Sequence, residues 1–156
     1  MSYITNLYTD PSCRRRITTW SNGSDVNVEH IDGRFRYTHT GNNDWSIIDW
    51  AGWRELMRLG RVVVIAYTAT DGLRVSLESG TPLASGTTDS GSTWQASKIN
   101  ADTNRSIYCQ GSGSLLLEAM AVYEADEWPT VQQLLPPISM VQRRNDAPAV
   151  IGGERR

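Results

Sequence analysis

The side chains able to do chemistry in this chain are few, and their spacing limits what they could do. The two histidines, His30 and His39, lie on the arms of one predicted hairpin. Pairing back from its turn sets Ile31 opposite Arg34, so the histidines fall out of register and make a poor metal pair. No third ligand stands at metal spacing. Asp44 with Asp49, and Glu124 with Asp126, are carboxylate pairs of the type used for general acid–base work. A glycan hydrolase would need two carboxylates facing across a cleft at ~5 to 9 Å, and in an acidic chain such pairs read as solvated loop charges. No G-x-S-x-G elbow, P-loop or H-E-x-x-H run occurs. The expectation is a protein that is not an enzyme, with no catalytic, cofactor or metal residues.

Aromatic content carries more. Six tryptophans stand against one phenylalanine. Tryptophan combines a large apolar face with one N–H, so when exposed it stacks sugar rings or anchors protein interfaces. Trp45, Trp50 and Trp53 cluster in a predicted loop region and are the candidates for glycan or partner contact. The competing reading, which is preferred, makes them the plug at one end of a small core. Trp20 and Trp94, each at a strand boundary, read as core.

Two cysteines, Cys13 and Cys109, make neither a metal site nor a disulfide framework. A single bridge is geometrically allowed if the first and a late strand are neighbours, but two buried free thiols are the preferred reading.

The elements that must position these residues are mostly strands. "VNVEHI-DG-RFRYTHT" places two alternating runs around Asp32-Gly33, a pair suited to a two-residue type I′ hairpin. "RVVVIAYTAT-DG-LRVSLES" repeats the device at Asp71-Gly72. Its run from Val62 to Tyr67 is nearly all β-branched, as suits a central strand buried on both faces. "STWQASKIN", "RSIYC" and "SLLLEAMAVYE" follow, separated by Gly, Ser, Asp and Asn turns. "DWAGWRELMRLG" breaks the pattern. Trp50, Trp53, Leu56 and Met57 approach helical spacing between an N-cap candidate, Asp49, and a stop, Gly60. It predicts a short helix or helical turn across one opening of a sandwich.

The 156 residues suffice for one domain. No apolar run approaches the ~18 to 20 residues of a membrane span. The N-terminus lacks the order of a secretory signal, so synthesis and folding in a cytoplasm are expected. A net charge of −2 argues against general nucleic-acid affinity. Of fifteen basic residues only Lys98 is lysine, a bias read as the coding habit of a GC-rich genome. From Trp128 onward lie four of the six prolines and no sustained periodicity. That segment is either a frayed end or an arm that orders on another subunit. Trp128, Leu134, Leu135, Ile138 and Met140 are the arm's candidate contacts. The expected division is a β-sandwich domain over 1–126 and a Pro-rich C-terminal arm over 127–156.

"NLYTDPSC" followed by "TTW" resembles the N-L-x-x-N-P-S-F…W opening of carbohydrate-binding-module-like jelly rolls. These modules occur in minor tail and other virion proteins of bacteriophages, especially phages of actinobacteria. Asp10 stands for their usual Asn, and Cys13 for a core Phe. "GRVVVIAYTATDGLRVSL" is similar to their central strand, and "SGSTWQASKINADTNRSIYCQGSGSLLLEAMAVYEAD" to their closing unit. In that unit Glu118 replaces an Asp that sometimes helps hold calcium. The resemblance spans residues 3 to 126. "DWAGWRELMRL" and the Pro-rich arm lie outside it.

The resemblance implies an all-β jelly-roll β-sandwich of the galactose-binding or carbohydrate-binding-module kind, with one short helix and an extended C-terminal arm. It implies a virion structural protein at or near the tail tip, with a capsid decoration protein as the close variant. The alternative of another class is a free carbohydrate-binding module. Expected partners are other virion proteins in a symmetric homo-oligomer and host cell-surface glycan, with no nucleic acid, membrane insertion or cofactor.

Overall fold

The computed structural model describes residues 4–21, 26–49, 53, 55–102 and 106–134. They form an all-β sandwich of two antiparallel sheets. The strands are β1 (Thr18–Ser21), β2 (Val26–Ile31), β3 (Arg34–His39), β4 (Trp45–Ile48), β5 (Val62–Ala69), β6 (Arg74–Leu77), β7 (Gly80–Thr87), β8 (Thr93–Ile99), β9 (Ile107–Gln110) and β10 (Gly113–Tyr123). One sheet has the order β1-β4-β9-β6 and the other β2-β3-β10-β5-β8-β7. A 3-10 turn, Ala125–Glu127, leads into a short helix, α1 (Trp128–Leu134).

The first hairpin forms as its turn chemistry demands. Asp32 and Gly33 both take positive φ, 50° and 82°, and the register sets Ile31 against Arg34. His30 then faces Phe35 and His39 faces Val26, so the histidines are out of register. Asp71-Gly72 makes the same kind of turn, with φ of 57° and 72° and Leu73 N–H donating to the Thr70 carbonyl. There the expected hairpin does not form. β5 pairs with β10 and β8, while β6 pairs with β9 in the opposite sheet. Leu73, buried just past the turn, carries the chain across the core.

β5 is the central strand expected, buried from Val62 to Tyr67. Alternate residues serve two cores. Val63, Ile65 and Tyr67 join the cluster between the sheets; Val62, Val64 and Ala66 join a second cluster on the outer face of the six-stranded sheet. β10 does the same by means of a bulge. Its register slips between Leu117 and Ala119, so Leu115 and Leu117 face the inner core before the slip and Met120 and Val122 after it. An eleven-residue strand with strict alternation would have turned Met120 and Val122 outward.

Residues 4–17 run without regular strand structure, and the first strand begins at Thr18. Side chains replace the ladder. Asn6 Nδ2 donates to the Met120 carbonyl (3.2 Å), while its Oδ1 accepts from Val122 N–H (2.9 Å). Asp10 accepts from the N–H groups of Arg14 and Arg15 with its two oxygens. Asp10-Pro11 turns the chain, and Cys13 enters the inner core at 4% exposure.

Helical structure falls at two places. Helical turn structure occurs at residues 53, 55 and 56, where Trp53 N–H donates to the Asp49 carbonyl; Trp50 lies outside the described residues. Past residue 126, Trp128–Leu134 is helical on this chain's own sheet. Val131 is fully buried against the second cluster, and Trp128 packs partly against it. Leu134 is exposed, and Leu135, Ile138 and Met140 lie outside the described residues. No helix among the described residues is long and apolar enough to cross a membrane.

Candidate functional site

Trp45 and Trp53, candidates for surface contact with a core plug as the preferred reading, are inside. Trp45 is in β4, not a loop, and is 0% exposed; its Nε1 donates to the Gly111 carbonyl (3.0 Å) and its ring lies 5.7 Å from that of His39. Trp53 is 1% exposed, with its ring 6.4 Å from that of Tyr8. Neither can offer a face to a glycan or a partner. Trp94 is buried as expected, but Trp20 is 54% exposed.

The cause is the register of the four-stranded sheet. Trp45 and Ile47 of β4 point into the core, beside Cys109 and Ile107 of β9. β1 pairs Ser21 with Trp45 and Thr19 with Ile47, so Ser21 and Thr19 face inward. Ser21 Oγ accordingly meets His39 Nε2 at 3.1 Å. Trp20 must then face out. One cross-strand row on the outer face reads Trp20, Ser46, Tyr108, Ser76.

Neighbouring outward positions are polar. Gln110 and Arg74 are paired across β9 and β6, alternating with core-facing Cys109 and Val75. Asp44 precedes β4 and accepts a short hydrogen bond from the Tyr108 hydroxyl. That bond, with lesser help from desolvation, raises the Tyr108 phenol above its ordinary value. Asp44 lies two residues before Ser46, the register partner of Tyr108, so the bond runs diagonally between the two strands. Ser46, between Trp20 and Tyr108, is only 5% exposed although it points outward. Two aromatic side chains are thus held two strands apart, ~10 Å, among hydroxyl, carboxylate, amide and guanidinium groups.

The carboxylate pairs do not converge. Asp44 and Asp49 stand beyond opposite ends of β4, and Asp49 accepts from Arg15 (2.8 Å). Glu124 pairs with Arg61 at 3.0 Å, and Asp126 is exposed. Glu118 accepts hydroxyl hydrogen bonds on both oxygens, from Ser92 and Thr68, each at 2.6 Å. Among the described residues no cluster of three or more His, Cys, Asp and Glu could hold a metal ion. Cys13 and Cys109 are buried free thiols.

Tyr108 was legible in advance. In "IYCQ" the apolar Ile107 and Cys109 alternate with it, which turns it to the opposite face. Trp20 was not, because "TTWS" has one apolar residue and a local reading sends that residue inward.

Comparison with family models, with curated proteins and with solved structures found no match.

Proposed function

We propose that this chain is a bacteriophage virion structural protein without catalytic activity. It would serve as a jelly-roll module of the minor tail protein kind, at or near the tail tip. The observation that carries the reading is how its family-like opening is used. Asn6, Asp10 and Cys13, the distinctive positions of "NLYTDPSC", respectively tie the entering chain to the last strand, cap its turn and fill its core. Those are structural duties of the kind the resemblance implies.

The strand orders add support. From β3 on, consecutive strands mostly alternate between sheets: β3-β10-β5-β8 in one and β4-β9-β6 in the other. That interleaving supports a jelly-roll wrap, with β7 joined to β8 and not to β6. Expected partners are neighbouring virion proteins in a symmetric assembly. A capsid decoration protein uses the same physics and differs in copy number.

Quantitative mass spectrometry of purified virions tests the proposal. A fixed stoichiometry is expected, with a handful of copies for a tail-tip component and hundreds for a decoration protein. Absence from washed particles would overturn it. The exposed Trp20 beside Tyr108 favours one second reading, a free carbohydrate-binding module.

A further inference from the structure

The two sheets end in four edge strands, β1 and β6 in one and β2 and β7 in the other. A bare edge is a template for another strand, and folded proteins blunt it with charge, proline or a bulge. Three of these edges are blunted. β7 carries Pro82 and a register slip between Pro82 and Ala84. β2 presents exposed Glu29 and His30. β6 presents exposed Arg74, and its Val75 carbonyl already accepts from Gln95 Nε2 (2.9 Å).

β1 has none of these devices. Thr18–Ser21 contains no charge and no proline, and it pairs with β4 in unbroken register. In an antiparallel ladder alternate residues turn their main-chain groups away from the neighbour, and no backbone group among the described residues meets those of β1. In the middle of this open edge stands Trp20, 54% exposed.

We infer that β1 is a self-association edge, which pairs antiparallel with β1 of a second copy of this chain about a twofold axis at Trp20. The two four-stranded sheets then run on as one. The inference goes beyond the virion reading, which calls for neighbours and names no surface. Charge selects the occupant and the direction. An uncharged strand meets its own copy without repulsion, and a twofold axis makes such a contact closed and self-complementary. Arg14, Arg15 and Arg16, all exposed, come just before β1. A parallel pairing would set these runs side by side. With the axis at Trp20, the two copies of Arg16 lie eight residues apart along the strands, ~27 Å, well beyond the screening length of about 8–10 Å. Facing selects the register. Opposed residues of an antiparallel pair share a face, so the outward Trp20 meets either Thr18 or Trp20 of the copy. The aromatic pair gains more, because two large rings cover each other. A contact of one short strand and one ring per copy falls below the ~1,200 Å² of standard interfaces, so the dimer is weak and reversible.

Sedimentation of the full chain from about 10 μM to about 1 mM, the range suited to a small interface, tests this. A reversible monomer–dimer equilibrium is expected. Trp20→Lys, which opposes two like charges at the axis, should raise the dissociation constant at least tenfold, whereas Leu83→Lys on the blunted β7 edge should leave it unchanged. Both side chains reach solvent, so the urea midpoints of both variants should stay near the parent's; this separates loss of pairing from loss of fold. Trp20→Cys should cross-link to a covalent dimer under air oxidation, since Cys13 and Cys109 are buried and do not compete. A chain that stays monomeric throughout overturns the inference. So does a dimer that Trp20→Lys leaves intact, a dimer that Trp20→Cys fails to cross-link, or an open-ended series of oligomers. Virion stoichiometry is measured independently, so a protein present in particles yet monomeric in solution refutes this edge and leaves the structural role standing.

Discussion

Cys13 holds an unusual position for a non-glycine residue: it is 4% exposed with φ of 57°. The turn from Asp10 forces that backbone, with Cys13 N–H donating to the Asp10 carbonyl (2.9 Å). Its sulfur then fills a place in the core between the sheets. Replacing sulfur by a hydroxyl puts a polar group where a compact apolar one was accommodated. Cys13→Ser should therefore lower unfolding free energy by about 1–3 kcal/mol, read from urea midpoints. An unchanged midpoint would mean that Cys13 does not serve the core. Trp20 makes the complementary case, because its side chain can be removed with little cost to stability while the outer face loses its broadest ring.

Among the elements, β10 is the one on which the sandwich depends. It pairs with β3 on one side and β5 on the other, and the entering stretch hangs from it through Asn6 and Leu7. Its first residue, Gly113, has φ of 140°, and a Cβ there would lie 2.5 Å from the Thr70 carbonyl oxygen. Both the backbone region and the contact exclude a side chain, and the obstructing atom is main chain that cannot swing aside. Gly113→Ala should cost about 1–3 kcal/mol from backbone strain, before any cost of moving Thr70. Thermal unfolding would show this as a lowered midpoint. A midpoint equal to the parent's would mean that the Thr70 turn yields freely.

At the scale of the whole molecule, buried weak acids set a limit on alkaline stability. Burial, reinforced by the charge of Asp10, pushes the Cys13 thiol from 9.0 up to about 12. Burial likewise raises Cys109 and the phenols of Tyr8, Tyr37 and Tyr67. For each, the unfolded chain gives up its proton first. Between the two values the native state therefore binds more protons, and stability falls as pH rises. For Cys13 the stabilisation is whole below about pH 9 and is lost progressively toward about 12. Urea midpoints should hold through pH 8 and then decline, with a shallower decline in Cys13→Ala. Midpoints that stay level to pH 11 would contradict this coupling.

What the sequence determined is what local chemistry can encode. Asp32-Gly33 specified both a turn and the register Ile31 to Arg34, because a two-residue type I′ turn leaves little freedom in pairing. The β-branched run from Val62 and the alternation of "IYCQ" likewise specified a central strand and the facing of Tyr108. Two buried free thiols, Cys13 and Cys109, were likewise the preferred reading of the cysteines. Only the tertiary structure decided which sheet each strand joins, and the outcomes that mattered followed from that choice. Asp71-Gly72 makes its turn but no hairpin, because β10 and β9 claim the strands on either side of it. Trp20 faces solvent because β4, with Trp45 and Ile47 committed to the core, imposes its facing on an edge strand that has no strong pattern of its own. Strand pairing is a contest between distant segments, and a short stretch of sequence carries its own preference without the strength of its competitors. The outer face, where the one largely exposed tryptophan among the described residues stands beside Tyr108, is the product of that contest.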